Sequence, residues 1–306
     1  MYRICFGVIF SLIHLLCSEW VHAQQTKALR MIVVQDKQEA QQIHQQLQQG
    51  ASFSSLAGAK SIGAERRVWG YIGLVRTNEV QAELRPVVQK LRPGEISDVL
   101  AVGKRFVIVK ALAPEIQRHF EVADRALKEN KFPQAIQALQ AALALEKDSI
   151  QVYLKLGYAY DRAAQYEASI AALEKAQSYA PQDAQTAIML GATHTHLAID
   201  KKNRTHAQEA VKYYEQALKL NERLAPAVHF GLGKVYLVAL QQPEVALKHL
   251  EQAVKITPRT PELYRLLVQA YYDTQQYQQA MQHLRLAQGM GYDFPDLREA
   301  LAKVKK

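Results

Sequence analysis

Apolar and polar positions follow two different rhythms along this chain, and the change falls near residue 114. Before it the rhythm keeps switching. Residues 30–35 form a short β-branched run and predict a strand. Residues 37–49 are glutamine-rich, with Ala40, Ile43 and Leu47 at helical spacing and Gly50 as a stop signal. Residues 53–59 predict a second short helix, and 69–73 a glycine-bracketed strand. Residues 80–91 predict a further helix, halted by Pro93 and Gly94, and 105–112 a closing strand. That order, β-α-α-β-α-β, is that of a small α+β domain.

After residue 114 the strand signals stop and a repeat begins. Small residues recur at Ala135, Ser169, Ala210, Ala246 and Ala280, at intervals of 34, 41, 36 and 34. A second series, Ala142, Ala176, Ala217, Ala253 and Ala287, has the same intervals. Leu156-Gly157 with Tyr160, Tyr166, Leu173 and Pro181 is echoed by Leu190-Gly191, by Leu232-Gly233 with Tyr236, and by Leu267 with Tyr271 and Tyr277. A ~34-residue period holding two helices is the tetratricopeptide arrangement. Five repeats are expected at about 116–149, 150–183, 184–225, 226–260 and 261–294, with a capping helix over 295–304. The third repeat carries seven extra residues, expected as a basic loop around Asp200 to Arg204.

The first segment, 28–113, resembles a parvulin-type (PpiC-like) prolyl isomerase domain. The resemblance rests on Met31-Ile32-Val33-Val34 followed by Gln38-Glu39-Ala40, and on Gly50 ahead of Phe53-Ser54-Ser55-Leu56. It rests further on Gly70-Tyr71-Ile72-Gly73, on Leu91-Arg92-Pro93-Gly94-Glu95-Ile96-Ser97 and on the last strand. It implies that the active-site positions are occupied here by Met31, Gly63, Val80, Leu84 and Val107. The histidines of the family fall at Met31 and Val107, its acidic or cysteine residue at Gly63, and its proline-holding pair at Val80 and Leu84. Isomerisation must weaken a partial double bond whose barrier is ~18–20 kcal/mol. A pocket without groups to orient and polarise that amide is poorly equipped for it. The expected module therefore grips extended apolar or proline-containing segments; the alternative is a weak isomerase that recruits substrate through the repeats.

Residues 1–23 read as an export signal: Arg3, an apolar run over 4–16, then Val21-His22-Ala23, with cleavage expected after Ala23. An uncleaved anchor stays open, and the mature protein is expected to be periplasmic or secreted. Cleavage removes Cys5 and Cys17, the only two cysteines, which excludes cysteine catalysis, disulfides and thiolate metal sites. The chain of 306 residues carries net charge +9. The charge is uneven: residues 24–113 hold 13 Lys/Arg against 7 Asp/Glu, and 114–306 hold 24 against 21. Arg66-Arg67 and Lys104-Arg105 give the small module a basic surface, open to acidic client segments or peripheral contact with anionic lipid. The export signal and the near-neutral repeats argue against nucleic acid.

No cofactor is implied. His194, His196 and His206 cluster in sequence, but the first two diverge on a helix and no carboxylate is spaced to complete a metal site. In repeat arrays of this kind the first helix of each repeat lines a groove. The groove-facing positions are expected to include Phe120, Asp124, Ile188, His196 and Phe230, with Tyr158, Arg162, Lys234, Arg265, Gln269 and Tyr272 as partner-binding anchors. The expected class is an exported protein-binding factor of a bacterial envelope, chaperone-like or an assembly scaffold, with a protein or peptide partner. Oligomeric state is left open.

Overall fold

The computed structural model describes residues 26–256 and 260–304; the export signal expected over residues 1–23 lies outside the described residues. Two compact units emerge. Of the described residues, one unit takes those up to Ala159 with Ser178–Ala180, the other Tyr160–Gln177 with those from Pro181 onward.

The first unit is built on a four-stranded antiparallel sheet in the order β2-β1-β4-β3. Its strands are β1 (Thr26–Val34), β2 (Tyr71–Arg76), β3 (Leu100–Val102) and β4 (Arg105–Leu112). β1 and β4 are central, and their alternating apolar residues divide between two faces. Ile32, Val34 and Ile108 meet α1 (Lys37–Gln48) and α2 (Phe53–Lys60) through Ala40, Ile43, Leu47, Phe53 and Ala57. Asp36 caps α1 by accepting from the Glu39 amide at 2.7 Å, and Ser52 caps α2. Leu29, Met31, Val33, Val107 and Val109 form the other face, packed with α3 (Arg85–Lys90) through Leu84 and Val88.

Three elements differ from the sequence expectation. α3 is only six residues, because Pro86 sits in its first turn and the preceding loop turns at Gln81, whose carbonyl accepts from the Leu84 amide at 2.9 Å. The glycine-bracketed strand begins at Tyr71 and not at Trp69, which adopts a left-handed conformation (φ 54°). β3, three residues ahead of β4, has too short a pattern to be read in advance.

The helices that follow come in pairs. In the first unit α4 (Glu115–Lys128) and α5 (Phe132–Leu145) form the first hairpin, and α6 (Ile150–Arg162) begins. The second unit holds α7 (Tyr166–Tyr179) up to Gln177, then α8 (Ala184–Lys201) with α9 (Arg204–Leu220) and α10 (Ala225–Lys234) with α11 (Pro243–Ile256). It ends in α12 (Pro261–Asp273), α13 (Tyr277–Gly289) and the capping helix α14 (Pro295–Val304). All ten residues of the two small-residue series are fully buried, so each marks a helix–helix approach that a larger side chain would block. α10 widens into a π-helical turn, Val235–Ala239, closed by the Leu240 amide on the Val235 carbonyl at 3.0 Å.

The extra residues of the third repeat are not a loop. α8 extends to Lys201 and α9 starts at Arg204, leaving a turn of Lys202 (φ 51°) and Asn203. Seven residues split over two antiparallel helices add about one turn to each, which keeps the hairpin in register. Asn203 caps α9 by accepting from the Thr205 amide at 2.9 Å.

Candidate binding cavity and its surroundings

A cavity of about 620 Å³ opens on the α3 side of the sheet. Its floor is the shared face of β1 and β4, where Met31 pairs in register with Val109 and Val33 with Val107. Val80, Leu84 and Val88 form one wall; Val102 of β3 and Ile72 and Val75 of β2 close the others. All five active-site positions inferred from the sequence line it: Met31, Gly63, Val80, Leu84 and Val107. The lining holds no histidine and no aromatic ring. Polar groups are confined to Glu65, Glu79, Gln81, Lys104 and Arg105.

Glu65 is the residue that sequence reasoning missed. A side chain at Gly63 would run into the Glu65 carboxylate, which therefore fills the space that the bare glycine leaves. The carboxylate is held by the hydroxyl of Ser61, a fully buried residue whose Oγ also accepts from the Val33 amide at 2.9 Å. The vacancy at Gly63 was legible; a carboxylate returning to it from two residues downstream was not.

The opposite face of the sheet carries a second polar construction. Arg30 is fully buried, and Glu146, just past the end of α5, is 3% exposed. Arg30 Nε and Nη2 donate to the two Glu146 carboxylate oxygens at 2.7 and 2.8 Å, the fork geometry that suits this pair. Nη2 also donates to Ser149 Oγ at 2.8 Å, and Nη1 to the Trp69 carbonyl at 2.7 Å. Lys110, the cross-strand neighbour of Arg30, lies 3.5 Å from Glu146 and 3.6 Å from Asp148. Tyr71 lies under the guanidinium, donates to Gln117 Oε1 at 2.6 Å and meets Phe120 edge-on. Burial pushes the Tyr71 phenol up to about 12, against the opposing pull of Arg30. Phe120, expected to face a groove, is thus buried against Tyr71.

The remaining anchors divide between the units. In the first, Tyr158 is 44% exposed, and Asp124 pairs with Lys155. In the second, Lys234 pairs with Glu262 at 2.8 Å. Arg265 grips both Asp296 oxygens of the capping helix, at 3.0 and 2.6 Å, and lies over the Phe294 ring. Gln269 donates to Asp273 at 2.7 Å, Tyr272 meets Tyr277 edge-on, and Arg162 has partners of its own. Lys234 therefore ties α10 to α12 and Arg265 ties α12 to α14, each skipping the helix between, and of the two Arg265 is the more exposed. His196 Nδ1 meets Asp161 at 2.9 Å, while His194 and His206 face each other through Nδ1 at 3.1 Å. Among the described residues no group of three metal-ligating side chains comes together.

Fold and sequence together define a PPIase-like domain followed by tetratricopeptide repeats. Residues 21–113 match the PPIC-type PPIASE domain family, and 123–162, 150–183, 197–239 and 237–304 match four tetratricopeptide repeat families. The two modules lie one after the other in this chain. Among solved structures it is similar to Pseudomonas aeruginosa pilF at 19% identity, covering 62% of this chain and 83% of that one, with a TM-score of 0.52. It is also similar to a thermophilic TPR protein of Thermus thermophilus, at 17% identity over 61% and 97% of the two chains, with a TM-score of 0.50. A tetratricopeptide repeat protein from Parabacteroides merdae is similar at 13% identity, covering 62% and 72%, with a TM-score of 0.51.

Proposed function

We propose that this protein is an exported protein-binding factor of a bacterial envelope, in which the PPIase-like module grips extended client segments and the repeats hold a protein partner. One observation carries the reading: the five positions Met31, Gly63, Val80, Leu84 and Val107 converge on a cavity whose walls are aliphatic. Such walls favour apolar side chains by burying their surface, at ~25 cal/mol per Å². The aliphatic side chains themselves cannot polarise an amide, and none of the histidines expected of an isomerase stands among them. Tetratricopeptide arrays are protein-interaction scaffolds by construction, since stacked hairpins present extended surfaces. The apolar run over residues 4–16 followed by Val21-His22-Ala23 supports export, with a mature protein beginning at Gln24 and lacking cysteine.

The test uses the chain from Gln24 onward and a chemically denatured client. Slowed client aggregation is expected, with the effect weakened when Val80→Trp or Met31→Trp fills the cavity. Undiminished protection in both filled variants, with folding confirmed by circular dichroism, would overturn the reading. The second reading, a weak peptidyl-prolyl isomerase, is favoured by the match of 21–113 to the PPIase family and by the Glu65 carboxylate at the cavity. Acceleration of proline-peptide isomerisation that disappears in Leu84→Ala would select it.

A further inference from the structure

The cavity has an apolar interior and charges of both signs around it. Lys104 and Arg105 are exposed on the β3–β4 hairpin and make no ion pair among the described residues. Glu65 sits on the 3₁₀ helix Ala64–Val68, its carboxylate aimed by Ser61 into the space left by Gly63. Glu79 adds a second acid, partly offset by Arg76 at 3.2 Å. Ile72, which lines the cavity, is 39% exposed, and Ile62 and Val68 on the same short stretch of chain are 47% and 40% exposed, unusually much for large aliphatic side chains.

Each feature narrows the occupant. The volume admits more than one side chain, and in an extended segment residues i and i+2 point the same way. An anionic lipid or fatty acid would suit Lys104 and Arg105 but be repelled by Glu65 and Glu79. An uncharged lipid would use neither. A polypeptide can carry both signs. We propose that the cavity recognises an extended polypeptide segment with aliphatic residues at i and i+2, flanked by an acidic residue at the Lys104–Arg105 side and a basic one at the Glu65 side. This rests on the protein-binding reading above and specifies its ligand; proline is not required by it.

The experiment is fluorescence anisotropy of the full chain from Gln24 onward with labelled peptides. All share an apolar Leu-x-Leu centre, with flanks of opposite sign, both acidic or both basic. The mixed-charge peptide is expected to bind at least about fivefold more tightly than either same-charge peptide, the scale of one or two exposed ion pairs. The preference should shrink as salt rises. In K104E/R105E the preference should move to the peptide with two basic flanks, and E65Q should weaken only the contact of the basic flank. Replacing the leucines by proline should weaken binding. Equal affinity for all three peptides, an unchanged preference in K104E/R105E, or displacement of the peptide by laurate at similar concentration would each overturn the proposal. Retained client protection that is sensitive to Val80→Trp, together with any of those results, would leave the broader reading standing; loss of that sensitivity would remove both.

Discussion

Arg30 shows how much one residue can commit. It stands on β1 among buried aliphatic neighbours, 116 residues from its partner Glu146, and nothing in the local pattern reveals that partner. Burying a charge without compensation is very costly, and here Glu146, Ser149 and the Trp69 carbonyl share the compensation. Removing one partner leaves the other stranded, which typically costs about 3–5 kcal/mol, far more than the intact pair contributes relative to apolar residues. Glu146→Ala should therefore destabilise the first unit by about that amount in urea denaturation. The double variant Arg30→Met with Glu146→Leu should recover much of the loss, because it removes both charges. A double variant no more stable than Glu146→Ala would show that the pair itself, and not the stranded charge, governs stability. Gly63 is the milder counterpart. Gly63→Ala meets the flexible end of Glu65, so it should cost less than about 1 kcal/mol while displacing the carboxylate from Ser61, a change visible in the serine's environment by NMR.

At the scale of elements, close helix packing sets the consequences. Tyr214 of α9 lies 4% exposed against the helices that carry Gly191 and Gly231. A methyl group at Gly231 would collide with the phenol end of the ring, whereas at Gly191 it would stand 3.0 Å from the ring edge. Gly231→Ala should cost about 1–3 kcal/mol, with Gly191→Ala milder, as read from thermal unfolding. Histidines supply the pH dependence. Burial holds His194 down to about 4, with the facing His206 adding to it and Glu209 opposing. Burial likewise lowers His229, His249 and His283, His229 adding to the shift at His249 and Glu251 opposing it at His283. Below ~6.5, the unfolded value, the unfolded chain takes up protons that the folded repeats refuse. Stability contributed by these groups is present above ~6.5 and is lost as pH falls toward 4. Unfolding midpoints should fall across that window, and His194→Phe, which keeps a ring against Tyr213, should flatten the decline. The repeat hairpins were legible because their small residues recur at fixed intervals. The His194–His206 and His229–His249 contacts were not, because they depend on side-chain directions across a hairpin, which spacing alone does not give.

Over the whole molecule, the family boundary at residue 113 does not coincide with the first compact unit, which runs on to Ala159 and takes in Ser178–Ala180. The sheet closes with β4 at Leu112, and the change of rhythm at 114 marks that point well. What the rhythm omits is long-range chemistry. Arg30, Lys110 and Tyr71 of the sheet domain find Glu146, Asp148, Gln117 and Phe120 on the helices after it. Ser54 similarly donates to the Asp148 carbonyl at 2.5 Å. The sheet domain alone would expose Tyr71 to water and leave Arg30 without its carboxylate. A fragment of residues 24–113 should therefore unfold at a clearly lower urea concentration than the first transition of the intact chain. A fragment of 24–182, which restores Glu146, Ser149 and α4, should regain most of the difference. Measuring both by tryptophan fluorescence is direct, since Trp69 is the sole tryptophan after Ala23 and its carbonyl accepts from Arg30. Equal midpoints for the two fragments would mean that the buried pair only decorates a domain already stable by itself. A recovery confined to 24–182 would mean that the first repeat hairpin is part of the PPIase-like module's own core, so that binding assays on the cavity need the chain beyond residue 113.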